Sequence, residues 1–160
     1  KINSIGVDIS LTDLNVAKKK FVKYKKKFIH IEKFENIGKM FEKKKFDVIV
    51  ASQSLYYLSN KDLKKLLIIF EKILNKNGII FATMISQKSS LFRNSVSYKH
   101  GLRKVYVDKN NFHFINFTKN FRDLKSKFNI FKTVDTGYYS ICLDIKNDIN
   151  HHYTFIGKKR

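Results

Sequence analysis

Polar side chains follow three short apolar runs in the first third of the chain. Asp8 ends the run 4–7, Glu32 follows 28–31, and Ser52 and Gln53 follow 46–51. Each run has the composition of a β-strand, and ligands in open α/β sheets bind at the carboxyl ends of the strands. A carboxylate at such a position can accept hydrogen bonds from two vicinal hydroxyls at once. Asp8 is therefore predicted to bind a ribose, with a role as a turn-forming acid as the alternative.

Helical patterns separate these runs. Ser10 or Thr12 is placed to cap a helix, and the apolar residues that follow at helical spacing form one face: Leu14, Ala17, Phe21 and Tyr24. Ser59 or Asn60 is placed to cap a second helix with a broad apolar stripe between 63 and 74. Residues 75–78 are predicted to end that helix, with Gly78 in the left-handed conformation.

The second half of the chain predicts one more buried strand, a long connection, a helix and a hairpin. The strand covers 79–84 and the helix begins at Thr118. Residues 86–117 are expected to be irregular and to serve as a substrate-side loop or lid. The runs 138–145 and 151–157 flank a polar segment, which predicts an antiparallel hairpin. The pattern indicates an α/β fold with a mostly parallel sheet, helices on both faces and one domain spanning 1–160.

The strongly basic composition does not by itself indicate nucleic-acid binding. The formal net charge is +20, but it comes from 29 Lys and only 4 Arg, in a chain that is also rich in Ile, Asn, Phe and Tyr. Lys, Ile, Asn, Phe and Tyr all have A/T-rich codons, so base composition of the gene can account for the many lysines. Arginine, the residue best suited to bidentate phosphate and base contacts, is scarce. A nucleic-acid partner is therefore disfavoured, and the lysine runs are expected to lie on solvated surface.

No apolar run is long enough to span a membrane, and no signal-peptide core is present, which favours a cytoplasmic protein without membrane association. The single cysteine, Cys142, lies in an apolar run and is expected to be buried. The pair His151-His152 would project to opposite faces of a strand, so no metal site is predicted.

At this point the sequence resembles the class I S-adenosylmethionine-dependent methyltransferases, a family with a Rossmann-like three-layer sandwich. The resemblance rests on five segments in the family's order: GVDIS, FIHIEKFE, FDVIVASQSLYYLS, ILNKNGIIFATM and HHYTFIGKK. It implies S-adenosylmethionine as cofactor and methyl transfer to a small-molecule acceptor as the activity.

The resemblance also implies roles for individual residues. Asp8 would bind the ribose hydroxyls, and the neighbouring cofactor contacts would come from Ile9, Glu32, Lys33, Ser52 and Gln53. An ordinary surface acid is the alternative for Glu32. Methyl transfer depends mainly on in-line positioning. If a base is needed, Tyr57, His100 and His113 are the candidates, together with Tyr98.

The family's first strand and glycine-rich loop have no counterpart before GVDIS, and no G-x-G pattern occurs in the 160 residues. The chain is therefore expected to be an N-terminally truncated fragment of a longer methyltransferase and to bind cofactor weakly or not at all. The strands at 5–8 and 48–51 should then pair directly or leave a gap of about two strand spacings. An RNA- or DNA-binding protein, a nucleic-acid methyltransferase, a nicotinamide-dependent oxidoreductase and a non-catalytic relic are the alternative functions. A parallel last strand would favour the oxidoreductase.

Overall fold

The computed structural model describes residues 3–143 and 148–160, which form two compact units. The first unit ends at Glu42 and the second begins at Lys43. Both contain helices and strands, which confirms the α/β class. None of the helices in the described part of the chain is long and apolar enough to cross a membrane.

The first unit is a small β-α-β arrangement followed by a short helix. Its elements are β1 (Gly6–Asp8), α1 (Leu11–Lys20), a 3₁₀ helix (Val22–Lys27), β2 (Phe28–His30) and α2 (Asn36–Met40). The strands are parallel, with Asp8 opposite His30. Ser10 is the N-cap of α1 and accepts a hydrogen bond from the Asp13 amide at 3.2 Å, as one of the two predicted caps.

The predicted apolar face of the first helix is only partly correct. Leu14 is buried, but α1 ends at Lys20 and the side chains of Phe21 and Tyr24 are exposed. The chain tightens into the lysine-rich 3₁₀ helix after Phe21, so the 3.6-residue spacing no longer places these rings on the face of Leu14.

The second unit is built on a four-stranded mixed sheet. Its principal elements are β3 (Phe46–Ala51), a 3₁₀ helix (Leu55–Tyr57), α3 (Asn60–Ile73), β4 (Leu74–Ile85), α5 (Phe121–Lys127), β8 (Lys132–Leu143) and β9 (Asp148–Lys158). The strand order is β3-β4-β9-β8; β3 and β4 are parallel, and both other pairs are antiparallel. The predicted C-terminal antiparallel pair is confirmed. Of the predicted turn at 146–150, residues 148–150 belong to β9 instead, and residues 146–147 lie outside the described residues.

Strand β3 is an edge strand in the described sheet, not the central strand that its apolar run predicts. It pairs with β4 alone, and the side chains of Val48 and Val50 are 54% and 66% exposed. Strand β1 pairs with β2 within the first unit, and the predicted relation of β1 to β3 stays a prediction.

The core of the second unit lies around α3 and the middle of β4. The predicted stripe of α3 is confirmed, since its buried side chains are Leu63, Leu66, Leu67, Phe70 and Ile73. On the sheet, Ile80, Ala82 and Met84 are fully buried. Phe128, at the end of α5, stacks on Phe155 of β9 with ring centroids 4.5 Å apart.

The segment between α3 and the core of β4 corrects the prediction for Gly78. Asn77, with φ of 68°, takes the left-handed conformation instead. Asn tolerates this conformation because its short side chain bonds locally. Gly78 is needed for space, since a Cβ there would lie 2.9 Å from the Asn75 carbonyl oxygen.

Residues 86–117 are not irregular. They hold a short helix, α4 (Ser90–Arg93), and a three-stranded antiparallel sheet formed by β5 (Ser95–Ser97), β6 (Arg103–Tyr106) and β7 (Phe112–Ile115). The turn between β6 and β7 is held by Asp108, whose carboxylate accepts from the amides of Asn110 and Asn111. The alternating strands and this Asx turn are short, which is why composition alone suggests a loop.

A second correction concerns Cys142, which is predicted to be buried but is exposed on the edge strand β8.

The cap of α3 supports a stability prediction. Ser59 Oγ accepts from the Asp62 amide at 3.1 Å and donates to the Asp62 carboxylate at 2.7 Å. We expect Ser59→Ala to lower the free energy of unfolding by about 1 kcal/mol in urea denaturation, because an orphan amide of the first turn loses its acceptor. Ser54→Ala, at a helix start where the serine side chain makes no cap hydrogen bond, is the control and should change stability by less than about 0.5 kcal/mol. Equal losses in both variants would contradict the role of the cap.

Candidate functional site

The carboxyl edge of the two-stranded sheet places Asp8 and the residues after β2 together. Asp8 Oδ1 accepts from the Ser10 amide at 2.8 Å, and the Asp8 carbonyl accepts from the Ile31 amide at 3.0 Å. His30 Nε2 lies 3.1 Å from the Ile9 carbonyl oxygen. These contacts fix the chain that leaves β1 against the end of β2.

The Asp8 carboxylate therefore has a turn-forming role and still offers an acceptor. Only Oδ1 is bonded within the described residues, and Oδ2 is left for a ligand. Ile9 is 65% exposed beside it, while Glu32 and Lys33 are exposed after the end of β2. The fold thus brings four of the predicted cofactor residues to one edge of the first unit.

In the second unit, Gln53 is held in an unusual conformation just after β3. Its φ is 52°, and its amide donates to Thr83 Oγ1 of β4 at 2.7 Å. Positive φ in a residue other than Gly or Asn is uncommon and occurs often at functional sites. Thr83 is buried, so this hydrogen bond holds the backbone at Gln53 against β4. Ser52 is exposed next to it.

Gln53 begins a group of residues that we call the carboxyl-edge cluster: Gln53, Tyr56, Tyr57, Tyr139 and His152. Gln53 Nε2 donates to the Tyr139 hydroxyl oxygen at 3.2 Å, and the Tyr139 ring stacks on His152 with centroids 5.0 Å apart. The ring centroid of His152 is also 5.7 Å from that of Tyr56, and the ring centroids of Tyr56 and Tyr57 are 4.6 Å apart. Because His152 pairs with Ile85, the last residue of β4, the cluster lies at the carboxyl ends of the parallel strands.

Burial shifts the pKa values of two groups in the cluster. Burial lowers the pKa of His152, and the neighbouring His151 lowers it further. Asn150 Oδ1 lies 2.6 Å from His152 Nε2, which places the ring hydrogen on Nε2 and leaves a lone pair on the buried Nδ1. Burial raises the pKa of Tyr56, with hydrogen bonding to Tyr57 as a further cause. Tyr56 is therefore a neutral phenol and not a general base.

The four candidate bases lie in different surroundings. Tyr57 is 49% exposed, and its ring meets His113 of β7 edge-on at 6.2 Å. His100 is exposed in a 3₁₀ turn with φ of 60°, and Tyr98 stacks on Phe114. Of these residues, Tyr57 belongs to the carboxyl-edge cluster and His113 adjoins it through Tyr57. Tyr98 instead contacts Phe114.

Sequence reasoning missed Thr83, Tyr139 and His152. The repeated pattern Tyr138-Tyr139 and His151-His152 on two paired strands was the available signal. Tyr139 lies directly opposite His152 and stacks on it, and Tyr138 stacks on His151 across a diagonal. In the described residues no group of three or more His, Cys, Asp or Glu side chains could hold a metal ion.

The comparisons with known proteins identify the family. A family model described as a methyltransferase domain matches residues 2–82, just over half of the 160 residues. The chain belongs to this methyltransferase family. The match spans β1, β2 and β3 and ends within β4, so it covers all six predicted cofactor residues. No curated protein sequence matches this methyltransferase.

Solved structures confirm the Rossmann-like fold of the methyltransferase. An S-adenosylmethionine-dependent methyltransferase from Clostridium acetobutylicum has a TM-score of 0.66 at 18% identity, over 98% of this chain and 75% of that one. One from Methanosarcina mazei has a TM-score of 0.73 at 12% identity, over 97% and 81%. The 1,6-didemethyltoxoflavin-N1-methyltransferase of Burkholderia thailandensis, solved with that compound and S-adenosylhomocysteine, has a TM-score of 0.60 at 12% identity, over 96% and 59%.

Proposed function

We propose that the protein transfers a methyl group from S-adenosylmethionine to a small organic acceptor, and that its two units act as one methyltransferase domain. The observation that carries the cofactor assignment is the Asp8 carboxylate, which ends β1 with one oxygen fixed by the Ser10 amide and the other open. A carboxylate so placed accepts from ribose hydroxyls with charge-assisted hydrogen bonds.

The remaining cofactor contacts follow from their places after the parallel strands. We assign Ile9 to the adenine face, Glu32 and Lys33 to the adenine edge, and Ser52 and Gln53 to the end of β3. The cofactor supplies an electrophilic methyl group on a sulfonium. What the protein contributes is alignment, and the hydrogen bond from Gln53 to Tyr139 leaves the Tyr139 hydroxyl hydrogen free to orient an acceptor.

A small acceptor is favoured over nucleic acid at this edge by the positions of the lysine runs. The 3₁₀ helix Val22–Lys27 leads into the first residue of β2, and Lys43, Lys44 and Lys45 immediately precede β3. Each run lies at the amino end of its own strand, whereas Asp8 in the first unit and Gln53 in the second lie at carboxyl ends. The neighbour from Burkholderia, a 1,6-didemethyltoxoflavin-N1-methyltransferase, agrees with this choice. The antiparallel β9 disfavours the oxidoreductase alternative.

The test is titration of ¹⁵N-labelled protein with S-adenosylhomocysteine, followed by NMR so that millimolar affinity is measurable. We expect saturable shifts of the amides of Ser10 and Ile31. Asp8→Asn keeps an oxygen for the Ser10 amide but removes the charge, and should weaken binding about 10- to 100-fold.

The matched control is Asp47→Asn, an exposed acid at the amino end of β3 that accepts from Asn75 Nδ2. It should bind within about twofold of the wild type, because it removes the same charge far along the strand from the proposed site. Wild-type affinity in Asp8→Asn would refute the ribose role. Failure of the unmodified protein to shift at saturating ligand would refute cofactor binding by this chain.

A further inference from the structure

The three-stranded sheet β5-β6-β7 has one face in the core and one in solvent. The inward side chains include Val105 and Ile115, which are 2% and 3% exposed. Because side chains alternate along a strand, the neighbours of these residues point outward. The outward set, with the adjoining ring of Tyr98, is here called the aromatic face: Val96, Tyr98, Lys104, Tyr106, Phe112 and Phe114.

The rings of the aromatic face form a contiguous row that is open to solvent. Tyr98 stacks on Phe114 at 4.5 Å, and Phe114 meets Phe112 edge-on at 5.2 Å. Tyr98, Tyr106 and Phe112 are 44%, 47% and 42% exposed. Codon bias explains why the chain has many aromatic residues, but not why four of them share one exposed face. Contiguous exposed apolar surface of this kind marks interaction sites.

Cations lie over these rings. Lys104 Nζ is 3.9 Å from the ring centroid of Phe112 and 4.8 Å from that of Tyr106, and Lys99 Nζ is 5.5 Å from that of Tyr98. The nearest acid in the β6–β7 turn, Asp108, has its carboxylate taken up by Asn110 and Asn111. The face therefore combines flat rings with positive charge that no described carboxylate neutralises.

We propose that the aromatic face binds single-stranded nucleic acid, with bases stacked on the exposed rings and phosphates held by Lys99 and Lys104. Stacking platforms combined with basic side chains are the physical basis of single-strand binding. A second copy of the chain fits less well, because pairing this face with itself would oppose lysine to lysine in a protein of net charge +20. The proposal is independent of the methyl acceptor, since the face is opposite to the one that packs Val105 and Ile115.

The test is fluorescence anisotropy with a fluorescein-labelled 12-nucleotide oligouridine at several salt concentrations, against a duplex of the same length. We expect the single strand to bind at least about 10-fold more tightly than the duplex, because paired bases cannot stack on the rings. The double variant Tyr106→Ala/Phe112→Ala should weaken single-strand binding by about 10-fold or more. Lys104→Gln should weaken it and reduce the slope of log affinity against log salt by about 0.7.

Matched controls separate a specific face from diffuse charge. Tyr24→Ala removes an equally exposed ring and Lys44→Gln an exposed lysine, both outside the aromatic face. Each should leave the affinity within about twofold, and circular dichroism together with S-adenosylhomocysteine titration should be unchanged in the aromatic-face variants. The proposal would be overturned if Lys44→Gln and Lys104→Gln weakened single-strand binding equally, or if the double aromatic variant did not weaken it. It would also be overturned if the protein bound anionic vesicles but no oligonucleotide, or if it self-associated and the double variant abolished that self-association.

Discussion

Replacing Lys127 with methionine is expected to lower the free energy of unfolding by about 3 kcal/mol. The side chain is only 9% exposed, and its ammonium group donates to Asn116 Oδ1 and to the Phe117 carbonyl, each at 2.9 Å, and to Thr118 Oγ1 at 3.2 Å. Methionine preserves the length of the side chain but leaves these buried acceptors without a donor, at about 1–3 kcal/mol for each unsatisfied group.

Urea denaturation at neutral pH measures the loss, and two variants on the same helix resolve its cause. Lys125→Met removes an exposed lysine and should cost less than about 0.5 kcal/mol. Asp123→Asn weakens the 3.4 Å ion pair with Lys127 but keeps the three hydrogen bonds, so it should cost less than Lys127→Met. If Lys125→Met and Lys127→Met were equally destabilising, the ammonium group would have no special role.

The effect should reach the carboxyl-edge cluster. The Asn116 amide donates to the Tyr56 carbonyl at 2.7 Å, and Asn116 Nδ2 donates to the Leu58 carbonyl at 3.1 Å. Lys127 thus anchors, through Asn116, the 3₁₀ helix that carries Tyr56 and Tyr57. It is a positioning residue for that segment.

The second large effect is a loss of stability on acidification between about pH 7 and pH 5. Burial lowers the pKa values of His151 and His152 below their ordinary value of 6.5, with Lys88 adding to the shift at His151. As the pH falls through 6.5, the unfolded chain binds protons that the folded chain does not. Stability is therefore complete above about pH 7 and decreases through this window, by at most about 1.4 kcal/mol per pH unit for each histidine.

Urea denaturation at pH 7.5, 6.5, 5.5 and 5.0 measures this slope. His152→Leu should reduce the slope, whatever it does to stability at pH 7.5, because it removes one of the two protonation sites. A flat profile in the unmodified protein, or an unchanged slope in His152→Leu, would show that the buried imidazoles do not control stability.

Local signals predicted the elements that rest on local physics. The caps at Ser10 and Ser59 and the stripe of α3 depend on residues within one or two turns, so spacing along the chain is sufficient. The ends of β1, β2 and β3, with Asp8 and Gln53, follow from apolar runs that stop at polar residues. The antiparallel β9 follows from two β-rich runs with a short polar segment between them.

Features that depend on distant partners were not predictable. In the sequence, Lys127 resembles the other solvated lysines. Only the fold shows that its ammonium group donates hydrogen bonds to Asn116, Phe117 and Thr118. The edge position of β3 depends on which strands pair with it, which an apolar run does not specify. The cofactor contacts of Asp8 and Glu32 and the role of Tyr57 as a base stay predictions.

The edge position of β3 has a consequence for solubility. Among the residues that the structure describes, β4 is the one strand paired with β3, and a strand at the edge of a sheet with outward valines at 48 and 50 is a template onto which strands of other molecules can add. Lys43, Lys44 and Lys45 stand immediately before it and would be brought against their own copies in a parallel, in-register stack. Aggregation should therefore be slow in dilute buffer and should accelerate when salt screens these charges. The repulsion between the lysine runs of neighbouring molecules thus opposes aggregation through β3.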